Sequence, residues 1–150
     1  MIKMKRYNLL LVQPRLTDET SAISPFTWQS MEIFPPYALL RIASLTPDNY
    51  NIILFDEQID KKFPRFKTDI VAICAHSFLT SRVLDLAAHF RKKNVKVIIG
   101  GTYASTNPQF FKDYVDSIVI GDAELLWPRL LKDFENNRLK KTYSSNTLPD

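Results

Sequence analysis

Two short apolar runs, each stopped by glycine, constrain this chain more than any other feature. Val95-Lys-Val-Ile-Ile99 runs into Gly100-Gly-Thr-Tyr-Ala-Ser105, and Ser117-Ile-Val-Ile120 runs into Gly121-Asp-Ala-Glu124. Short β-branched runs bounded by glycine read as buried strands whose ends turn sharply. Helical patterns lie between and after them, so the repeating unit is strand–loop–helix, from which a parallel sheet is built. In such sheets ligands sit outside the carboxyl ends of the strands, so the pattern selects a face of the molecule before any chemistry.

Composition narrows the class. The 150 residues, 45% apolar and 24% charged, fit one ordinary globular domain. No apolar run approaches the ~20 residues needed to cross a bilayer, and Met1-Ile-Lys-Met-Lys-Arg6 leads directly into a strand. Cys74 is the single cysteine, so neither an internal disulfide nor a thiol-based metal cluster can be built from this chain alone. These features predict a cytoplasmic protein without a membrane span. The net charge of +4 invites a nucleic-acid reading. However, Lys61-Lys62, Arg91-Lys-Lys93 and Lys140-Lys141 lie near element ends, where helix dipoles favour cations, and no aromatic residues interleave with them for stacking. They read as solvated surface, and nucleic acid is not an expected partner.

Five strands are predicted, at Tyr7–Val12, Asn51–Phe55, Ile70–Cys74, Val95–Ile99 and Ser117–Ile120. The connection from Gln13 to Phe34 is long, and carries Pro25, Phe26, Trp28 and Met31 without periodicity; loops of such length in compact domains are usually functional or mobile. Pro35-Pro36 opens a helix through about Leu45. A second helix covers Ser81 to Lys93, with Val83, Ala87 and Phe90 on one face. Asn107 before Pro108 marks a third helix start, and a fourth covers Leu130, Leu131 and Phe134, with Pro128 either starting it or kinking it. Asp60 to Asp69 is too short and too basic for a full helix. The polar tail Ser144-Ser-Asn-Thr-Leu-Pro-Asp150 reads as a linker, giving a domain over 1–143 and a linker over 144–150. Alternating strands and helices with right-handed crossovers give a doubly wound, three-layer α/β fold, flavodoxin-like, with five parallel strands in the order 2-1-3-4-5. The loops at its carboxyl edge are Gln13–Arg15, Ala75–Thr80, Gly100–Thr106 and Gly121–Glu124.

Each group with chemistry also has a structural role open to it. Gly100-Gly101 makes a turn and lets a ligand approach bare backbone. Neither a G-x-G-x-x-G nor a Walker-type phosphate loop is present, which disfavours dinucleotide and nucleoside-triphosphate cradles. Asp122 and Glu124 fit helix capping better than ligand binding. Asp56, Glu57 and Asp60 resemble a cation or phospho-acceptor cluster, but the partner positions of a receiver domain hold Gln13-Pro14, Ala75-His76 and Gly121-Asp122, so that reading fails. His76 stands at a strand end with no second histidine or cysteine ligand set nearby, and His89 lies mid-helix. Cys74 reads as a small buried hydrophobe. No nucleophile–base pair is visible, so no catalytic residue is assigned and this segment alone is not expected to catalyse.

Taken in order, Leu9-Leu-Leu-Val-Gln-Pro14, Pro35-Pro36-Tyr-Ala-Leu-Leu40, Phe55-Asp-Glu57, Gly100-Gly-Thr-Tyr-Ala-Ser105 and Ile120-Gly-Asp-Ala-Glu124 with Trp127-Pro128 resemble the amino-terminal cobalamin-binding-type domain of radical S-adenosylmethionine (SAM) enzymes. The resemblance spans nearly the whole chain. It implies a flavodoxin-like domain holding cobalamin over the strand ends, upstream of a C-terminal radical SAM domain of the same polypeptide that carries a 4Fe-4S cluster and binds SAM. Such enzymes include methyltransferases and tetrapyrrole-modifying enzymes acting on small-molecule substrates.

Residue by residue, the resemblance implies cofactor contacts from Gln13 and Pro14 after the first strand, Ser77 and Phe78 after the third, Gly100, Gly101, Thr102 and Tyr103 after the fourth, and Gly121, Asp122 and Glu124 after the fifth. Asp122-Ala123 replaces a more usual glutamate–glycine pair, and Tyr103 stands where related loops often carry histidine. In Asp56-Glu-Gln-Ile-Asp-Lys61 only the aspartate of a histidine-donating motif is kept, with Gln58 and Lys61 at the histidine and glycine positions. Cobalamin is therefore expected without histidine ligation of cobalt. The competing expectation is a cofactor-free domain of the same fold that recognises a substrate or a partner domain through the Ser24–Met31 loop. Flavin binding ranks last, because Pro14 and Arg15 stand where a flavodoxin phosphate loop would lie.

Overall fold

The computed structural model describes residues 5–15, 35–60 and 62–145. Its backbone is a six-stranded sheet in the order β2-β1-β3-β4-β5-β6, every neighbouring pair parallel. The strands are β1 (Tyr7–Gln13), β2 (Tyr50–Asp56), β3 (Ile70–Cys74), β4 (Lys96–Gly100), β5 (Ser117–Ile120) and β6 (Thr142–Ser144). β1 and β3 are apolar on both faces, which only a strand covered on both sides tolerates, and both lie inside the sheet rather than at an edge. Leu9 of β1 pairs with Ile52 of β2 on one side and with Ile70 of β3 on the other. The chain thus leaves β1 in one direction and returns past it in the other, so the strand order reverses between β1 and β3.

Period-two alternation sorts the sheet residues onto two helical layers. One layer consists of α2 (Thr80–Lys92), α3 (Thr102–Thr106) and α4 (Pro108–Phe111). Val83, Leu86, Ala87 and Phe90 of α2, with Ala104 and Phe111, pack there on Leu10, Val12, Val71, Ile73, Val97, Ile99 and Ile118. The opposite layer is α1 (Tyr37–Ser44) and α5 (Ala123–Glu135). Leu39, Ile42, Leu126, Trp127, Leu130 and Leu131 cover Leu9, Leu11, Ile70, Ala72, Ile98 and Val119. Each fully buried Leu or Ile contributes roughly 1.5–3 kcal/mol of transfer free energy.

The predicted five strands and their order hold, with a sixth added beyond β5. Thr142-Tyr-Ser has a strand's alternation, Tyr143 buried between exposed neighbours, but three residues among polar ones give too little pattern to read. Its placement comes from tertiary contacts. Ile118 N–H donates to Lys141 O at 2.9 Å, and the Tyr143 hydroxyl donates to Asp133 Oδ2 at 2.9 Å. β6 ends on Ser144, where the linker was expected to begin; residues 146–150, like most of the 13–34 connection with its Ser24–Met31 aromatic segment, lie outside the described residues. The Gly100–Thr106 segment is not a loop throughout: α3 starts directly after Gly101. α4 has Pro108 at its first position as expected, yet Asn107 makes no side-chain cap and its Nδ2 donates to Thr106 Oγ1 instead. Pro128 lies inside α5, which begins earlier, on Asp122.

Candidate functional site

Because all six strands run parallel, every carboxyl end opens on one edge. Both glycine corners meet there. Gly101 has φ +105° and Gly121 φ +83°, a left-handed region costly for any residue with a Cβ. The Ser105 hydroxyl joins them, donating to Gly101 O at 2.9 Å and accepting from Gly121 N–H at 2.9 Å. Gly101 is further confined by the β3 end: a Cβ there would lie 2.8 Å from Ala75 O and 3.2 Å from Ala75 N. Ala75 N–H donates to Gly100 O at 2.8 Å, and Tyr103 N–H to Ala75 O at 3.3 Å. The two strand ends are thereby fused into one edge with no room for side chains between them.

An apolar cleft of about 50 Å³ opens beside these corners, between the sheet and the α1/α5 layer. Small residues make the space: Ala38 of α1, Ala72 of β3, Gly100 of β4 and Ala123 of α5, with Leu39 and Trp127 as the larger walls. Trp127 is fixed by its indole N–H, which donates to Thr46 Oγ1 at 2.9 Å. A cavity that takes up benzene measures roughly 150 Å³, so the cleft as it stands accepts the edge of an aromatic ring. Its lining suits the apolar nucleotide base of a corrinoid in chemistry, and a full ring requires the walls to part.

The remaining titratable groups of the edge are already engaged. Glu57, at the end of β2, is buried and receives the Arg82 guanidinium of α2 together with the Arg15 N–H at 3.2 Å. Asp56 Oδ1 accepts from Gln58 N–H at 2.9 Å and Asp60 Oδ2 from Asp56 N–H at 3.0 Å, so these carboxylates serve a turn. The His76 Nε2 lies 3.5 Å from Cys74 Sγ, and its ring stacks on Phe78 with centroids 5.7 Å apart at 8°. Burial pushes the Cys74 thiol up to about 11 and holds the His76 imidazolium below its ordinary range, so both stay neutral at physiological pH. On the far side of the cleft Asp122 Oδ1 caps α5, accepting from Glu124 N–H at 3.0 Å. Glu124 pairs with Arg41 of α1, whose guanidinium holds the Glu124 carboxyl below the usual carboxylate range.

Residues 66–149, more than half of the chain, match the family described as radical SAM proteins, N-terminal. The chain belongs to this N-terminal radical SAM family. Among curated proteins it is similar to two enzymes of Chlorobaculum tepidum. Identity to bacteriochlorophyllide d C-8(2)-methyltransferase is 39% over 75% of this chain and 25% of the enzyme. Identity to bacteriochlorophyllide d C-12(1)-methyltransferase is 23% over 95% of this chain and 30% of the enzyme. The chain therefore spans between a quarter and a third of these relatives. Among solved structures, the N-terminal domain of a hypothetical protein of Thermotoga maritima superposes with a TM-score of 0.51 at 27% identity, over 75% of this chain and 90% of that one.

Within this radical SAM N-terminal domain, the residues singled out from sequence fall into three groups. Gly100 and Gly101 line the cleft. Thr102, Gly121, Asp122 and Glu124 follow the ends of β4 and β5, in α3, the second corner and the start of α5. Gln13, Pro14, Ser77 and Phe78 belong to the same edge on the β1–β3 side, where Gln13 O accepts from Glu57 N–H at 3.0 Å and Phe78 stacks on His76. Tyr103 turns away from the cleft, its ring edge-on to Phe111 at 5.8 Å in the opposite core layer. Sequence reading gave no role to Ala38, Ala72, Ala123, Arg41 or Trp127. The small residues Ala38, Ala72 and Ala123 carry no chemical label, and only the packing of α1 on α5 reveals the space they leave.

Proposed function

We propose that this domain is the cofactor-binding part of a cobalamin-dependent radical SAM methyltransferase acting on a tetrapyrrole of the bacteriochlorophyllide type. The cofactor unit extends through β6 to Ser144, and the 4Fe-4S cluster and SAM belong to a C-terminal domain of the same polypeptide. The observation that carries the reading is the apolar cleft bordered by Gly100 and Gly101 at the strand ends; support for the reaction class comes from the 39% identity to a bacteriochlorophyllide methyltransferase. Bound cobalamin supplies methyl-group transfer. This chain's part is to hold it. Gly100, Gly101 and Thr102, with Ser77 and Phe78, border the corrinoid edge, and Ala38, Ala72, Ala123 and Trp127 receive the apolar base of its nucleotide tail. No histidine ligand is offered: Gln58 stands at the motif position, and His76 is occupied by Cys74 Sγ.

The test is direct. The protein is mixed with hydroxocobalamin, gel-filtered, and its spectrum read. Corrin absorbance co-migrating with the protein, with a spectrum lacking the nitrogen-ligated signature, is the expected result. Absorbance that stays with the small-molecule fraction removes the proposal. In that event the alternative stands, a cofactor-free domain that packs against substrate or a partner domain.

A further inference from the structure

Beside the cleft, α1 and α5 are joined by an ion pair. Arg41 of α1 and Glu124 in the first turn of α5 meet side-on, Nε to Oε1 at 2.8 Å and Nη2 to Oε2 at 3.0 Å. This two-pronged geometry fixes orientation as well as distance. The partners stand next to the cleft walls: Ile42 follows Arg41 in α1, and Ala123 precedes Glu124 in α5.

The two walls differ in how firmly they are held. α5 buries Leu126, Trp127, Leu130 and Leu131 and starts on the Asp122 cap. α1 is eight residues long, buries Leu39 and Ile42, and starts at Pro36 without a side-chain cap. Isolated helices of this length are unstable in water, so α1 depends on what ties it down. Its far end is tied by Thr46, whose Oγ1 donates to Ile42 O at 2.7 Å while accepting the Trp127 indole N–H. In the last turn of α1, one residue before Ile42, the polar tie to α5 is the Arg41 pair.

From this geometry we infer that Arg41 and Glu124 form a clasp over the cleft. Its parting lets α1 swing about the Thr46–Trp127 tie and admits a flat apolar ring. The identity of that ring rests on the cobalamin reading; the opening does not. Both partners are about half exposed, Arg41 at 57% and Glu124 at 42% of the side chain, so water and salt compete with the pair and it yields easily. A clasp has to be weak in this way to work reversibly.

Trp127 reports on the wall directly. In a Trp28→Phe background it is the sole tryptophan, and acrylamide quenching of its fluorescence measures access to the cleft. E124Q and R41A are expected to raise the quenching constant about two- to fivefold, the range an exposed pair accounts for, and about 0.5 M sodium chloride should move the unaltered pair in the same direction. The double exchange R41E/E124R, which restores an opposite-charge pair, should bring quenching back toward the starting value. Hydroxocobalamin is then added to each protein and association followed by quenching; E124Q should bind faster by a similar factor. Equal quenching in all proteins overturns the clasp, as does a double exchange that behaves like E124Q. If quenching responds as expected and no protein binds hydroxocobalamin, the clasp stands and the cobalamin reading falls. If hydroxocobalamin binds all of them at one rate and quenching is unmoved, the cobalamin reading stands and the clasp falls.

Discussion

The two faces of one sheet are packed by different rules. Under α2, α3 and α4 the interior is filled by Phe90, Phe111, Leu86 and Ile99, all at or near zero exposure. Under α1 and α5, Leu130 and Leu131 are as fully buried, but beside the cleft the same sheet meets alanines and glycine, and the aromatic ring of Trp127 stands at the border of an opening rather than filling it. Native interiors are close-packed, and space costs cohesion. The contrast therefore teaches that the α2–α4 face carries stability, while the α1/α5 face gives up part of its packing to leave a cleft at the edge where ligands bind.

The largest expected effect tests the closed face. Phe111→Ala should cost about 3–5 kcal/mol, read as a lower urea midpoint at unchanged slope, because Phe111 is fully buried and its neighbours cannot collapse into the gap. Leu39→Ala, on the cleft wall, should fall at the low end of the range for such truncations, about 2 kcal/mol, since part of its surroundings is already open. Equal costs at the two sites would remove the claim that the faces differ.

Gly101→Ala comes next. The left-handed φ alone makes alanine unfavourable by more than about 1 kcal/mol, and the Cβ would meet Ala75 O at 2.8 Å, a backbone atom that cannot step aside. Here the sequence was legible: β-branched residues running into glycine foretold both the buried strand and its corner, and the parallel order followed from alternating elements. The cleft was not legible. Ala38, Ala72 and Ala123 are unremarkable in a sequence, and their joint effect depends on α1 meeting α5 at a distance of more than eighty residues along the chain, as does the Arg41–Glu124 pair. Glu57 was read as part of an acidic cluster for a similar reason: its partner Arg82 lies in another element, and pattern within one segment cannot supply it. Asp122 was read correctly as a cap because capping is local.

A smaller effect of opposite sign is expected at Ser117. Its hydroxyl is fully buried and has no hydrogen-bond partner among the described residues. By strand alternation it shares the α1/α5 face with Val119. Ser117→Ala should stabilise the protein by about 1 kcal/mol, since an unsatisfied buried hydroxyl carries a desolvation cost that a methyl does not. A stability loss on thermal or urea unfolding would mean that the hydroxyl has found a partner, and that this face is more polar than the contrast requires.

Protonation adds a lever on the rim. Burial lowers the His76 pKa below 6.5, so between that lowered value and 6.5 the unfolded chain binds the proton and the folded chain resists it. Stability should therefore decline as pH falls through this window. His89 acts with the same sign through burial and the nearby Lys93, Arg82 and Lys92. His76→Asn should lessen the loss in urea midpoint between pH 7.5 and pH 5.5 without abolishing it. An unchanged loss would place His76 in water and detach the Cys74–His76–Phe78 corner from the folded edge.

The smallest effect on stability separates the two glycines and isolates the cleft. A Cβ on Gly100 would approach Val119 Cβ at 3.7 Å, an ordinary contact, and its φ lies outside the left-handed region. Gly100→Ala should leave the urea midpoint within about 0.5 kcal/mol of the starting protein, the scale of a substitution that strains nothing. The same methyl group projects from a residue that lines the cleft, and its volume comes out of a space already smaller than an aromatic ring. Hydroxocobalamin binding should thus weaken although folding does not, whereas Gly101→Ala weakens both. If Gly100→Ala bound corrinoid as well as the unaltered protein, the cleft would be packing left loose, and the difference between the two faces would carry no function.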